Sequence, residues 1–147
     1  PTNILRKSAQ PARDPGRGAA EGTERIAVIR AGRVTIRVRL LATMTADRLW
    51  SMLPIHSTAE TWGAAIHFET PLETGRERSA RLNVSAGNIC YWTEDDRVLV
   101  GFGPTPISRP GEIRLMSPCN VWAKALDDVG ALSAVTPGEK VVVERAR

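Results

Sequence analysis

Two histidines, His56 and His67, are the only side chains in this sequence whose ordinary pKa allows proton transfer near neutral pH. His67 is the stronger candidate for a general acid or base. It alternates with Ile66 and Phe68, and Glu60 and Glu69 lie close enough along the chain to orient it or act themselves. Arg109 and Arg114 flank Glu112 in a proline-rich stretch, where a guanidinium could hold a carboxylate or polarise a carbonyl oxygen. Arg109 is therefore the second catalytic candidate. Thr105, Ser117 and Asn120 would add neutral hydrogen bonds to a polar ligand.

Aromatic rings supply the contact area that such a ligand needs. Trp62, Tyr91, Trp92 and Phe102 fall in strand-like segments, as do Phe68 and Trp122. Tyr91 and Trp92 are neighbours, so on a strand one faces the core and the other faces outward or into a groove. Beside them, Pro104, Pro106 and Pro110 stiffen a loop that would otherwise be mobile, and a stiff loop makes a good groove wall.

Several chemistries are not signalled. Cys90 and Cys119 with the two histidines could in principle make a zinc site, but no pair has ligand spacing, and neither a metal nor a cofactor is expected. The two cysteines read as buried free thiols, which points to a reducing, cytoplasmic setting. There is no nucleophile elbow, no phosphate-binding glycine loop and no His-Glu-x-x-His.

The 147 residues suffice for one domain. Net charge is +4, and seventeen of the twenty basic residues are Arg. They are scattered: Arg33, Arg37 and Arg39 alternate with apolar residues as the wet face of a strand would, so a nucleic-acid partner is not expected. No apolar run is long enough to span a bilayer, and no charged-then-apolar leader opens the chain, so neither a membrane nor a secretory signal is expected.

Residues 1–24 hold Pro11, Pro15, Gly16, Gly18 and Gly22 with little apolar periodicity, and read as a flexible tail. Residues 25–147 read as one domain. Ile26–Ile29 and Val34–Leu40 flank Gly32 as a hairpin. A short helix follows, with Thr45 as its expected N-cap and Pro54 as its stop. Strands are expected over Trp62–Thr70, Ser79–Val84, Ile89–Trp92, Val98–Phe102, Asn120–Leu126 and Val141–Glu144. A proline-rich loop spans Gly103–Pro118, and a second short helix spans Asp127–Val135. Many short strands with two short helices predict an all-β barrel or sandwich.

Three strings then carry a likeness: Leu49-Trp50-Ser51-Met52-Leu53-Pro54, Gly87-Asn88-Ile89-Cys90-Tyr91-Trp92 and Phe102-Gly103-Pro104-Thr105-Pro106-Ile107-Ser108. With Trp62-Gly63, Ile66-His67-Phe68 and Ser117-Pro118-Cys119-Asn120-Val121, they resemble the small bacterial and archaeal proteins of cyclophilin-like fold, over about residues 25 to 145. The resemblance implies a closed antiparallel β-barrel of about eight strands with a helix at each end. It does not imply prolyl isomerisation, because the isomerases' Phe-His-Arg and Met-x-Gln-Gly-Gly-Asp strings are missing. The leading expectation is a barrel that binds a small organic molecule or short peptide in an aromatic groove built from Trp62, Tyr91, Trp92, Phe102 and Pro104–Pro106. The alternatives are a cofactor-independent isomerase or cyclase using His67 or Arg109, and an interaction module that forms a homodimer through an edge strand or the tail.

Overall fold

A computed structural model describes residues 24–147, so the expected tail lies almost wholly outside the described residues. Apolar-polar alternation builds the first hairpin as expected. β1 (Ile26–Ala31) and β2 (Val34–Leu40) pair antiparallel about Gly32, whose φ of +58° suits the turn and would strain a side chain. The inward residues Ala27, Ile29, Ile36 and Val38 are fully buried, while Arg37 faces solvent and is held by Asp127.

The helix α1 (Met44–Met52) starts two residues earlier than expected. Thr43 is the N-cap, accepting the Ala46 N–H on its hydroxyl at 3.1 Å. Thr45 instead lies inside the first turn, buried, and donates its hydroxyl to Glu77. Leu49 and Ala46 bury the inner face of α1, and the helix stops before Pro54.

Beyond it the chain forms β3 (Ile55–Thr58), β4 (Glu60–Thr61) and β5 (Ala65–Glu69). The strand expected over Trp62–Thr70 is shortened to Ala65–Glu69, because Trp62-Gly63 lies in the tight turn between β4 and β5, with Gly63 at φ +59°. Next come β6 (Arg81–Val84), β7 (Asn88–Trp92) and β8 (Arg97–Gly101). β9 (Ile113–Ala125) begins well before Asn120, so the proline-rich loop ends near Glu112 rather than at Pro118. A 3₁₀ turn over Val129–Ala134, capped by Asp128, replaces the second expected helix, and β10 (Lys140–Arg145) closes the chain.

The strands make one antiparallel sheet in the order β3-β10-β1-β2-β9-β7-β8-β5-β4, nearly closed into a barrel, with β6 paired to β9 off this path. Ile29, Phe68, Tyr91 and Trp122 fill the interior. A second apolar cluster of Ala65, Val84, Cys90, Leu99, Leu115 and Cys119 lies on the opposite faces of β5, β7 and β8, beneath β6 and the first half of β9. Among the described residues no helix is long and apolar enough to cross a membrane.

The two ends of the sheet path, β3 and β4, are consecutive in the chain and separated only by Ala59. β4 pairs with β5, with Glu60 opposite His67. β3 does not continue that ladder. It turns away to pair with β10, with Thr58 opposite Lys140 and His56 opposite Val142. Ala59 anchors the switch: its N–H donates to the Glu139 carbonyl at 2.8 Å, and its own carbonyl accepts the Gly138 N–H at 2.8 Å. The barrel wall forks there.

Candidate functional site

The fork opens a cleft of about 740 Å³, within the size range of small-molecule sites. His56, Ser57 and Thr58 of β3 form one wall, and Glu69, Thr70 and Pro71 at the end of β5 form the other. Lys140, Val141 and Val142 of β10 extend the β3 side. Strand alternation sorts these residues. Ser57 and Val141 share the inward parity of Ile55 and Val143, whereas Thr58 and Lys140 are exposed on the outer rim. Thr70 is the buried polar group of the floor. Its N–H donates to the Asp96 carbonyl at 2.9 Å, and its hydroxyl lies 3.1 Å from the Tyr91 hydroxyl.

Tyr91 therefore reaches the cleft only through Thr70. Its ring is fully buried in the barrel, and its hydroxyl also donates to the Leu72 carbonyl. Burial pushes its pKa above the ordinary phenol value. Trp92, its neighbour, points to the other face and packs against the outer cluster, so the opposed orientation read from the sequence holds.

His67 also faces outward, half-buried, with its ring edge-on to Trp92 at a centroid distance of 6.3 Å. Arg97 Nη1 lies 3.4 Å from its Nδ1. Burial and then the Arg97 charge hold the imidazole below its ordinary pKa, against the opposing pull of Glu60 and Asp95. The indole Nε1 of Trp92 and the hydroxyl of Ser117 are buried without a hydrogen-bond partner among the described residues. Cys90 and Cys119 are free and buried in the same outer cluster, which pushes both thiols up, Cys119 to about 12.

The proline-rich loop meets Gly63 and Ala64, while Trp62 itself packs against the outer cluster. The Ala64 N–H donates to the Pro104 carbonyl at 2.9 Å, and the Phe102 N–H donates to the Ala64 carbonyl at 2.8 Å. Gly63 leaves no room for a side chain, since a Cβ there would meet Pro106 Cδ at 2.8 Å. Thr105 is buried and donates its hydroxyl to the Arg114 carbonyl at 2.6 Å, while Ser108 Oγ accepts the N–H groups of Thr105 and Arg114. Pro104 and Pro106 are exposed, and Phe102 is partly buried against the interior cluster. Arg109 is exposed at the loop tip, where its backbone N–H and then the Arg114 guanidinium hold Glu112 below the usual carboxylate range.

Asn120 is fully buried and fully engaged: its Oδ1 accepts the Glu77 N–H at 2.8 Å. Its Nδ2 donates to Thr45 Oγ1 at 2.9 Å and to the Gly75 carbonyl at 3.0 Å. The expected catalytic pair His67 and Arg109 and the expected ligand contacts thus divide among the loop buttress, the outer cluster and the barrel interior and do not line the cleft, whereas His56 and Glu69, weighed only as secondary proton-transfer groups, do. The other cleft residues went unread because nothing in Ile55-His56-Ser57-Thr58 announces that this segment changes strand partner. Among the described residues no group of three metal-binding side chains is present.

Compared with known proteins, the chain matches the family described as Cyclophilin-like over residues 24–144. It is similar to the solution structure of the hypothetical protein AF2241 from Archaeoglobus fulgidus, at 35% identity and a TM-score of 0.73. That match covers 85% of this chain and 97% of the other. It also shares the fold of McbB, solved in complex with tryptophan, at 17% identity and a TM-score of 0.62. There the match covers 81% of this chain and only 44% of McbB. No curated protein sequence matches.

Proposed function

Because the chain belongs to the cyclophilin-like family, we propose that it is a ligand-binding barrel which takes a small organic molecule or short peptide into the cleft at the β3–β5 fork. One observation carries this reading: a cleft of about 740 Å³ opens where the sheet path ends and its two terminal strands part. Its walls are carried by the paired strands β3 and β10 and the end of β5, already ordered, so little ordering entropy would oppose binding. Its lining mixes hydroxyls, an imidazole, an ammonium and a carboxylate with Val141, Val142 and Pro71, as a site for a polar organic ligand requires. The tryptophan complex of McbB is consistent with a ligand on this fold, although at that distance the likeness extends to the fold alone.

The test is a thermal-shift screen against short peptides, carboxylic acids and polyketide-like molecules, repeated on Thr58→Trp and on Arg109→Ala. Both residues are exposed, so both variants should fold. A ligand of this cleft raises the midpoint in a dose-dependent way, keeps its effect in Arg109→Ala, and loses it in Thr58→Trp, where the indole fills the rim. Ligands that still stabilise Thr58→Trp would move the site elsewhere, and a broad screen without any shift would end the reading.

A further inference from the structure

The hydrogen-bond parity of the two walls says more than their side chains do. Along β5 the N–H and C=O groups of alternate residues point to opposite sides. Those of Ala64 and Thr70 point to β8, since the Ala64 carbonyl accepts the Phe102 N–H and the Thr70 N–H donates to the Asp96 carbonyl. Ala65 points to the β4 side, since its carbonyl accepts the Trp62 N–H. Glu69 shares the parity of Ala65, so its backbone groups point into the fork. On β3 the Ala59 N–H is bonded toward β10, and Ser57 and Ile55 share its parity. The backbone groups of Thr58 and His56 therefore point away from β10 and into the same fork.

Continuing the β4–β5 register, in which Glu60 faces His67, would put Thr58 opposite Glu69 as the next hydrogen-bonded pair. That pair is not made, because β3 has left for β10. Among the described residues β3 pairs only with β10 and β5 only with β4 and β8, so no strand meets these inward-pointing backbone groups of His56, Thr58 and Glu69, and no turn bond reaches them. Two strand edges with unsatisfied donors and acceptors thus face a cleft, at the two-residue spacing that another strand would match.

We propose that the ligand of this cleft is a short extended peptide that adds as a strand to the free edge of β3, bonding its main chain to Thr58 and His56 with Glu69 on the far side. The inference rests on the reading of the cleft as the ligand site. The slot has a defined length. Ala59 closes its inner end, and Pro54 and Pro71, which have no N–H, bound the outer end. That leaves room to run alongside Ile55–Thr58, about four residues at roughly 3.3 Å each. Charge agrees with a neutral main chain rather than a polyanion or an anionic surface. Lys140 and Glu69 lie on opposite walls, and neither forms an ion pair among the described residues.

The experiment is amide NMR of the full chain, labelled with nitrogen-15, titrated with a mixed library of N-acetylated, C-amidated tetrapeptides. The expected result is a shift of the His56, Thr58 and Glu69 amides, with slowed hydrogen exchange at His56 and Thr58, while the Ser57 amide, already bonded to β10, keeps its exchange rate. For a peptide recovered from the library, N-methylation of the alternate amides that face β3 should weaken binding at least tenfold, and N-methylation of the other set should not. A library that leaves these amides unmoved overturns the strand addition, as does equal tolerance of both N-methylated sets. If small molecules still stabilise the protein in a manner lost in Thr58→Trp, the cleft remains the site and only the peptide assignment falls. If the His56 and Thr58 amides are already protected in a protein that sediments as a dimer, the edge is occupied by a second copy, and the proposal also fails.

Discussion

The hydroxyl of Tyr91 lies 3.1 Å from that of Thr70, and this contact joins the barrel interior to the floor of the cleft. Tyr91 also donates to the Leu72 carbonyl, and the Thr70 hydroxyl accepts the Leu72 N–H at 3.3 Å. The three residues form a buried knot just beyond β5. Tyr91→Phe removes one hydroxyl and leaves the Leu72 carbonyl without that donor, which should cost about 1–3 kcal/mol in urea unfolding. The phenol itself should ionise above its ordinary value of about 10 in the native protein and return to it on unfolding, because burial disfavours the phenolate. Unchanged stability in Tyr91→Phe, or a native phenol titrating at the ordinary value, would show that the knot is not closed.

His67 sits where its protonation is opposed first by burial and then by Arg97. Its folded pKa lies below the unfolded value of about 6.5, so the native state binds fewer protons than the unfolded chain in that range. The contribution of His67 to stability is therefore complete above about pH 6.5 and is lost as pH falls through the depressed folded value. His67→Gln should flatten the acid-side slope of stability against pH, and the native imidazole should titrate below 6.5 by NMR. The neutral ring accepts from Arg97 at Nδ1, which places its proton on Nε2. A native midpoint at or above 6.5 would overturn this account of the site.

What the sequence disclosed and what it concealed follow from the range of the interactions concerned. The alternation of Val34 to Leu40 with Arg37 and Arg39 is local, and it yields β2 on the correct face. The opposed directions of Tyr91 and Trp92 follow from strand parity alone. Thr43 and Thr45 could each cap a helix by type, and only the packing of Thr45 against Glu77 and Asn120 decides between them. β9 runs through Pro118 because that residue falls in an irregular stretch of the β6–β9 ladder, where a missing N–H is tolerated. The fork is the least legible feature. Ala59 carries no side-chain signal, and its switch of partner is fixed by Gly138 and Glu139, some eighty positions away in the chain. Ligand residues sought among Trp, Tyr and Phe were therefore placed away from the cleft, whose lining holds none of these three types.

Asn120 separates a binding role from a structural one. It is a ligand-contact candidate by residue type, yet its amide is taken up by the Glu77 N–H, Thr45 Oγ1 and the Gly75 carbonyl. These contacts tie β9 to the first turn of α1 and to the segment around Gly75–Glu77, three pieces with no strand pairing between them. Asn120→Ala strands a buried N–H, a hydroxyl and a carbonyl together, and should cost about 2–4 kcal/mol, near the upper range for single substitutions. Asn120→Asp should be at least as costly near neutral pH, because a carboxylate cannot donate to the Gly75 carbonyl and would be buried near Glu77. Both are measured by urea unfolding of the purified variants, alongside the affinity of any ligand found for the cleft. A clamp lowers the unfolding midpoint and leaves the affinity of the folded protein unchanged. The reverse pattern, intact stability with lost affinity, would restore Asn120 to the ligand site.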